Sequence, residues 1–142
     1  MEAIAQQPNP VLATTPGEIN WSNKTILIAD DVKINYILLK ALLGKTKANI
    51  LWAEDGEKAI EYCKSQNNID LVLMDYNMPK MDGCEATRII KEFRSDLPVI
   101  SQTTCALGTH EFDEMTTTCD DYILKPIDKT KLIHTISKHL KK

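Results

Sequence analysis

The chain has no apolar run near the roughly 18–20 residues that a membrane helix requires, so no transmembrane span is expected. Basic charge is not in excess: 17 Lys and Arg stand against 20 Asp and Glu, for a net charge of -3. No basic patch marks a nucleic-acid surface, and Lys138, Lys141 and Lys142 read as a solvated helix end. Direct nucleic-acid binding is therefore not expected. The four cysteines, Cys63, Cys84, Cys105 and Cys119, include no CxxC pair and no histidine at zinc-ligand spacing, which argues against a structural zinc site. The N-terminus lacks a basic segment followed by an apolar core and a cleavage site. Scattered free thiols then fit a cytoplasmic location.

What is present is a rhythm. At 142 residues the chain suits one domain. Residues 1–23, with three prolines and no sustained period, are expected to form a linker or flexible tail, and the folded unit to occupy 24–142. Five strand-length apolar runs follow: "TILIA" at 25–29, "ANILWA" at 48–53, "DLVLMD" at 70–75, "LPVISQT" at 97–103 and "DYILK" at 121–125. Between them lie segments with helical spacing. Ile34, Ile37, Leu38, Ala41 and Leu42 mark the first helix, Asp55–Gln66 the second, and Ala86, Ile89, Ile90 and Phe93 the third. The fourth spans 106–119 and is the weakest, because Gly108 and Thr116, Thr117 and Thr118 are poor helix formers. The fifth runs over 128–140. Doubly apolar strands alternating with helices imply an α/β fold, a (βα)5 parallel sheet covered on both faces.

In such sheets ligands bind beyond the carboxyl ends of the strands. The residues there are Asp30 and Asp31 after the first strand, Asp75 closing the third, Thr103 and Thr104 after the fourth, and Lys125 with Pro126 after the fifth. Two ionised carboxylates about 5 Å apart repel by about 3 kcal/mol at an effective dielectric near 20, so three together call for a cation. Oxygen ligands suit Mg2+, and an Asp held against Mg2+ with a lysine opposite suits phosphoryl transfer. Asp75 would be the nucleophile, with Lys125 and the Thr103 hydroxyl meeting phosphoryl oxygens. Each residue also has a plainer reading: Asp31 as a helix cap, Lys125 as a snorkelling strand end, Thr103 as a turn residue.

The stretches "ILIADD", "LVLMDYNMPKMDG", "PVISQTT" and "DDYILKPI" resemble the receiver domains of two-component response regulators, over about residues 24–140. The resemblance implies the flavodoxin-like strand order 2-1-3-4-5 and a phosphoryl group received on Asp75 from a histidine kinase or a histidine phosphotransfer protein. It implies Mg2+ held by Asp31, Asp75 and the Asn77 backbone, with Asp30 acting through water. Thr103 and Tyr122 would be the switch pair, Tyr122 starting from an exposed position, and the Lys125–Pro126 bond would be cis. Signalling, and any weak dimer of an otherwise monomeric chain, would use the face of the fourth helix, fifth strand and fifth helix.

Thr104 stands where the family commonly has a small residue and is expected to narrow access to the site. Thr118 stands where a glycine often precedes the "xDDY" pattern. The "DDxxxN" segment from Asp30 to Asn35 and the Pro-rich leader suit the C-terminal receiver of a hybrid histidine kinase. No output domain is expected after Lys142, and a stand-alone single-domain regulator is the alternative. Two rival classes fit less well. An Asp-nucleophile Mg2+ phosphatase wants an acid two residues after Asp75, where Asn77 stands. A pseudo-receiver that only binds would not need the full set of acids, Thr and Lys, and no phosphate-cradling glycine loop follows the first strand.

Overall fold

The computed structural model of the protein describes residues 19–140. Five strands, β1 (Thr25–Ala29), β2 (Asn49–Ala53), β3 (Leu71–Asp75), β4 (Val99–Thr103) and β5 (Asp121–Leu124), alternate with helices. These are α1 (Lys33–Leu42), α2 (Gly56–Ser65), α3 (Gly83–Phe93), α4 (His110–Thr118) and α5 (Lys129–His139), with a 3-10 turn at Gly44–Thr46. All pairings are parallel and the strand order is β2-β1-β3-β4-β5, as the resemblance implied.

Every residue of β1, β3 and β4 is buried, which is why these runs carry little polar alternation. Their side chains divide by parity. Ile26, Ile28, Leu71, Leu73 and Ile100 meet Leu39 of α1 and Leu132, Ile133 and Ile136 of α5. Leu27, Ala29, Val72, Met74 and Val99 meet Ala59 and Cys63 of α2 and Ala86 and Ile90 of α3. At about 1.5–3 kcal/mol for each large aliphatic side chain fully buried, these two layers dominate the stability of the fold. Among the described residues no helix is long and apolar enough to cross a membrane.

Three expectations change. Four of the five apolar residues that announce α1 face solvent: Ile34, Ile37, Leu38 and Ala41 are exposed, Ile34 at 66%, while Leu42 packs against the core. The helix packs through Leu39 instead, while Tyr36 stacks on Trp52 with ring centroids 4.9 Å apart. It carries two apolar stripes, and spacing alone selected the outer one. Second, the folded unit starts before Lys24. Trp21 is buried in the core with Ile19 packed against the same cluster, and the Trp21 N–H donates to the Thr46 carbonyl at 2.6 Å. Residues 1–18 of the expected tail lie outside the described residues. Third, α4 begins only after Gly108, whose φ of +85° breaks the chain ahead of the Thr109 cap. Thr116 and Thr117 donate to the Asp113 carbonyl and Thr118 to that of Glu114, so the poor helix formers bond back onto their own helix.

Candidate active site

The carboxyl edge is assembled by short, well-fixed turns. After β1 the Asp30 side chain turns back to accept the Val32 N–H at 2.9 Å, with Asn35 Nδ2 at 3.4 Å. Asp30 therefore sets the entry to α1. Asp31 does not: the N-cap residue Val32 has no side-chain cap, and the exposed Asp31 carboxylate forms no hydrogen bond or ion pair with a described residue. After β3 the chain turns through Asn77 to Lys80, which has φ +70°, and Asp82 caps α3 by accepting the Glu85 N–H at 2.8 Å. Gly83 is required here. Its N–H donates to the Tyr76 carbonyl at 2.9 Å, and a Cβ at this position would collide with the Asp75 carbonyl oxygen and Tyr76 Cα.

These turns bring Asp30, Asp31 and Asp75 together, with one carboxylate oxygen from each inside 4.8 Å of the others. Asp75 is 4% exposed and Asp30 is fully buried. Burial, then the charge of Asp30, pushes the Asp75 carboxyl up to about 6 against the opposing pull of Lys125. Burial likewise raises Asp30. Lys125 reaches in from the end of β5 and its Nζ lies 3.1 Å from Asp75 Oδ1. It is an ion-pair partner within the cluster rather than a strand end snorkelling to water. The Lys125–Pro126 peptide is cis.

The second Asp30 oxygen, Oδ2, is buried and has no hydrogen-bond partner. An orphaned buried carboxylate oxygen beside two further acids is the donor set that a hard divalent ion or its water shell satisfies. Thr103 is buried, and its hydroxyl oxygen accepts the Cys105 N–H at 2.9 Å. Thr104, beside it, is exposed at the rim. Tyr122 is half-buried rather than exposed. Its ring meets Phe112 of α4 edge-on, with centroids 5.0 Å apart at 82°.

Sequence reasoning missed four participants. Gln102 pairs in register with Asp75 across β3 and β4, and both polar atoms of its fully buried amide lack partners. A glutamine inside an otherwise apolar strand was the available signal. Phe112 could not be paired with Tyr122 without the α4 packing. The two acids before Tyr122 act as clamps: Asp120 Oδ2 accepts from Lys91 Nζ and the Val99 N–H, each at 2.7 Å, and Asp121 Oδ2 meets Lys138 at 3.2 Å and His139 at 3.0 Å.

An acid cluster, a facing lysine and a buried threonine at the carboxyl edge of a 2-1-3-4-5 parallel sheet define a receiver-type phosphoacceptor module. The response regulator receiver domain family model matches residues 26–137, and the chain belongs to that family. It is a receiver domain of two-component signal transduction, a phosphoacceptor switch rather than a catalyst with turnover. The chain is 34% identical over 125 residues to the autoinducer 1 sensor kinase/phosphatase LuxN of Vibrio campbellii, covering 88% of this chain but 14% of that protein. It is 36% identical over 121 residues to the transcriptional regulatory protein YvrH of Bacillus subtilis, covering 84% of this chain and 50% of YvrH. The receiver domain of sensor histidine kinase PA1611 from Pseudomonas aeruginosa, solved with a magnesium ion coordinated in its active site cleft, superposes with a TM-score of 0.75. It shares 27% identity over 83% of this chain and 98% of that domain. The chain thus spans half or less of the length of the two curated relatives.

Proposed function

We propose that Asp75 accepts a phosphoryl group from a phosphohistidine, with Mg2+ held by Asp31, Asp75 and the Asn77 backbone carbonyl, and with Asp30 acting through water. The observation that carries this reading is the trio of carboxylates inside 4.8 Å with Lys125 3.1 Å from the central one. Bound Mg2+ would neutralise charge on the phosphoryl oxygens and on the acids around them. The rest falls to the protein. An Asp75 oxygen attacks phosphorus as the P–N bond to the donor imidazole breaks. Lys125 moves its ammonium from the carboxylate to a phosphoryl oxygen. Thr103 offers its hydroxyl hydrogen to another. Thr104 at the rim narrows the approach of small donors and of water.

The donor must cover the carboxyl edge to bring its histidine to Asp75, and the exposed stripe Val32, Ile34, Ile37 and Leu38 begins one residue from Asp31. An apolar helical surface of the phosphohistidine-bearing protein fits this stripe, and a histidine kinase or phosphotransfer domain supplies one. The parent is a cytoplasmic-facing hybrid histidine kinase, a reading supported by the sensor-kinase relative, with the stand-alone regulator as the alternative. The domain is monomeric or weakly dimeric through α4, β5 and α5.

Intact-mass measurement with Mg2+ and acetyl phosphate tests the central step. A lasting adduct of one phosphoryl group that disappears in Asp75→Asn is expected. Turnover without an adduct would identify a phosphatase, and no reaction would identify a binding module.

A further inference from the structure

Asp31 poses a positional problem that its own side chain does not solve. It is the exposed member of the acid trio, and its carboxylate forms no hydrogen bond or ion pair with a described residue. Where that carboxylate points is therefore set by the backbone, through the two peptide planes that meet at the Asp31 Cα. Each plane is held by a specific bond. The plane after Asp31 is held from within the turn, because the Val32 N–H donates to Asp30 Oδ1 at 2.9 Å. The plane before it carries the Asp30 carbonyl and the Asp31 N–H, and since a peptide unit is rigid, anchoring its oxygen orients the whole plane. That oxygen accepts a hydrogen bond from Trp52 Nε1 at 2.9 Å.

The sheet explains why a side chain supplies this donor. β1 and β2 pair in register as far as Ala29 and Ala53, and the Asp30 N–H still donates to the Ala53 carbonyl at 3.0 Å. β2 ends there. The chain leaves toward the Asp55 cap of α2 before a further β2 N–H continues the ladder to the Asp30 carbonyl, and the indole N–H takes that place. The indole is itself oriented by α1, whose Tyr36 ring stacks on it with centroids 4.9 Å apart and planes 9° from parallel. A half-buried aromatic on an edge strand is ordinary packing. An indole N–H bonded to the peptide ahead of the unsupported acid also fixes that acid.

We propose that Trp52 is a positioning residue for metal binding, acting through the Asp30–Asp31 peptide to aim the Asp31 carboxylate at a divalent cation beside Asp75. The inference rests on the Mg2+ reading given above. Ligands fixed before an ion arrives bind it more tightly than ligands that the ion must order, and groups that orient a ligand without touching the metal carry such effects.

Trp52→Phe keeps an aromatic ring for Tyr36 to stack on and removes the N–H. By calorimetry it is expected to bind Mg2+ about fivefold more weakly, the effect of one neutral hydrogen bond. Trp21→Phe is the control: Trp21 is buried in the core beside Thr46, before β2 begins, and its replacement should leave Mg2+ affinity unchanged. Phosphorylation of Trp52→Phe by acetyl phosphate should be slow at low Mg2+ and match the unmodified chain at saturating Mg2+, a rescue that general damage to the fold would not show. A measurement without any variant stands beside these. In NMR spectra of the unmodified chain, the Trp52 Nε1–H resonance should exchange slowly with water and shift along the same Mg2+ titration curve as the Asp31 amide, while the Trp21 Nε1–H resonance stays in place. Equal Mg2+ affinity in Trp52→Phe and the unmodified chain overturns the positioning role, and so does a Trp52 resonance that ignores Mg2+ while the Asp31 amide responds, or a rate deficit that persists at saturating Mg2+. An unmodified chain that binds no Mg2+ overturns the metal reading itself, and this inference with it.

Discussion

Lys125 Nζ stands 3.1 Å from Asp75 Oδ1, the only ion pair that Asp75 makes among the described residues. In the proposed reaction the ammonium occupies the acid that both the metal and the phosphoryl group would need. It offsets part of the repulsion from Asp30 and Asp31, yet burial still leaves the Asp75 carboxyl raised to about 6. On the proposed reading, a lysine in this position would compete with the metal in the resting state and pair with the phosphoryl group once it is transferred.

Removing that competitor should separate binding from chemistry. Lys125→Ala is expected to bind Mg2+ at least as tightly as the unmodified chain while phosphorylating from acetyl phosphate at least about tenfold more slowly, a loss of about 1.4 kcal/mol of transition-state stabilisation. Asp31→Ala should lose Mg2+ affinity. Calorimetric Mg2+ titrations beside adduct formation by mass check both, and weaker Mg2+ binding in Lys125→Ala would remove the electrostatic argument.

Asp75→Asn should abolish the adduct and also stabilise the metal-free fold. The charges of Asp30 and Asp31 crowd buried Asp75, and the amide removes the charge they repel at nearly constant volume, while Lys125, 24% exposed, keeps access to water. An increase of about 1 kcal/mol in unfolding free energy is expected without Mg2+, shrinking when Mg2+ is added to both proteins. Denaturant melts with and without the metal give the comparison. A destabilised variant would mean that the Lys125 pair outweighs the repulsion.

Much of this was legible in the sequence because the sheet is buried on both faces. Continuous apolar runs located β1, β3 and β4, and their ends located Asp30, Asp31, Asp75 and Thr103 without any knowledge of packing. What spacing could not decide was which of two apolar stripes α1 turns inward, since Leu39 and Ile37 sit on a helix apolar on more than one side. Trp21 was hidden for a related reason: one aromatic after a Pro-rich stretch has no period to reveal it. The Phe112–Tyr122 contact exists only through the packing of α4 on β5.

The unpartnered Gln102 amide makes a sharper stability claim. A buried polar group without a hydrogen bond costs about 1–3 kcal/mol, so Gln102→Leu, close in volume, should stabilise the fold by about 1 kcal/mol and raise the melting temperature by about 4 °C. Scanning calorimetry checks it. A lower melting temperature would show that the amide is satisfied by an internal water.

On α1, Ile37→Asp should leave phosphorylation by acetyl phosphate unchanged and slow transfer from a phosphohistidine-bearing kinase or phosphotransfer domain. The residue is 46% exposed, so the charge carries little folding penalty. Equal slowing with both donors would place the stripe in the fold rather than in an interface.

The Asp121 clamp should give acid sensitivity. Burial raises its carboxyl, but the bonds from His139, the Tyr122 N–H and Lys138 outweigh burial and leave it below the ordinary value. A folded-state pKa below the unfolded one adds stability above the unfolded value, about 4, and loses it as pH falls through the folded value. Asp121→Asn should therefore be less stable than the unmodified chain at pH 7, by under about 1 kcal/mol, with the gap closing below about pH 4. A gap that widens in acid would contradict the sign.

Phosphorylation should reach α4 through Thr103. Its hydroxyl oxygen now accepts the Cys105 N–H at 2.9 Å, which leaves the hydroxyl hydrogen able to turn toward a phosphoryl oxygen on Asp75. If Thr103 is drawn inward, Cys105 loses that acceptor and the loop leading to α4 must rearrange. Tyr122, held edge-on by Phe112, then has space to turn inward and takes its α4 contact with it. A difference of about 1–3 kcal/mol between two arrangements is enough for a useful population change. With Mg2+ and beryllofluoride, whose BeF3- group on Asp75 stands in for the phosphoryl group, amide shifts should run from Thr103 through Cys105 and α4 to Tyr122 and Lys125. Thr103→Val should keep the shifts at Asp30, Asp31 and Asp75 but lose those in α4. Changes confined to the three acids in the unmodified chain would instead describe a phosphoryl relay with no conformational output.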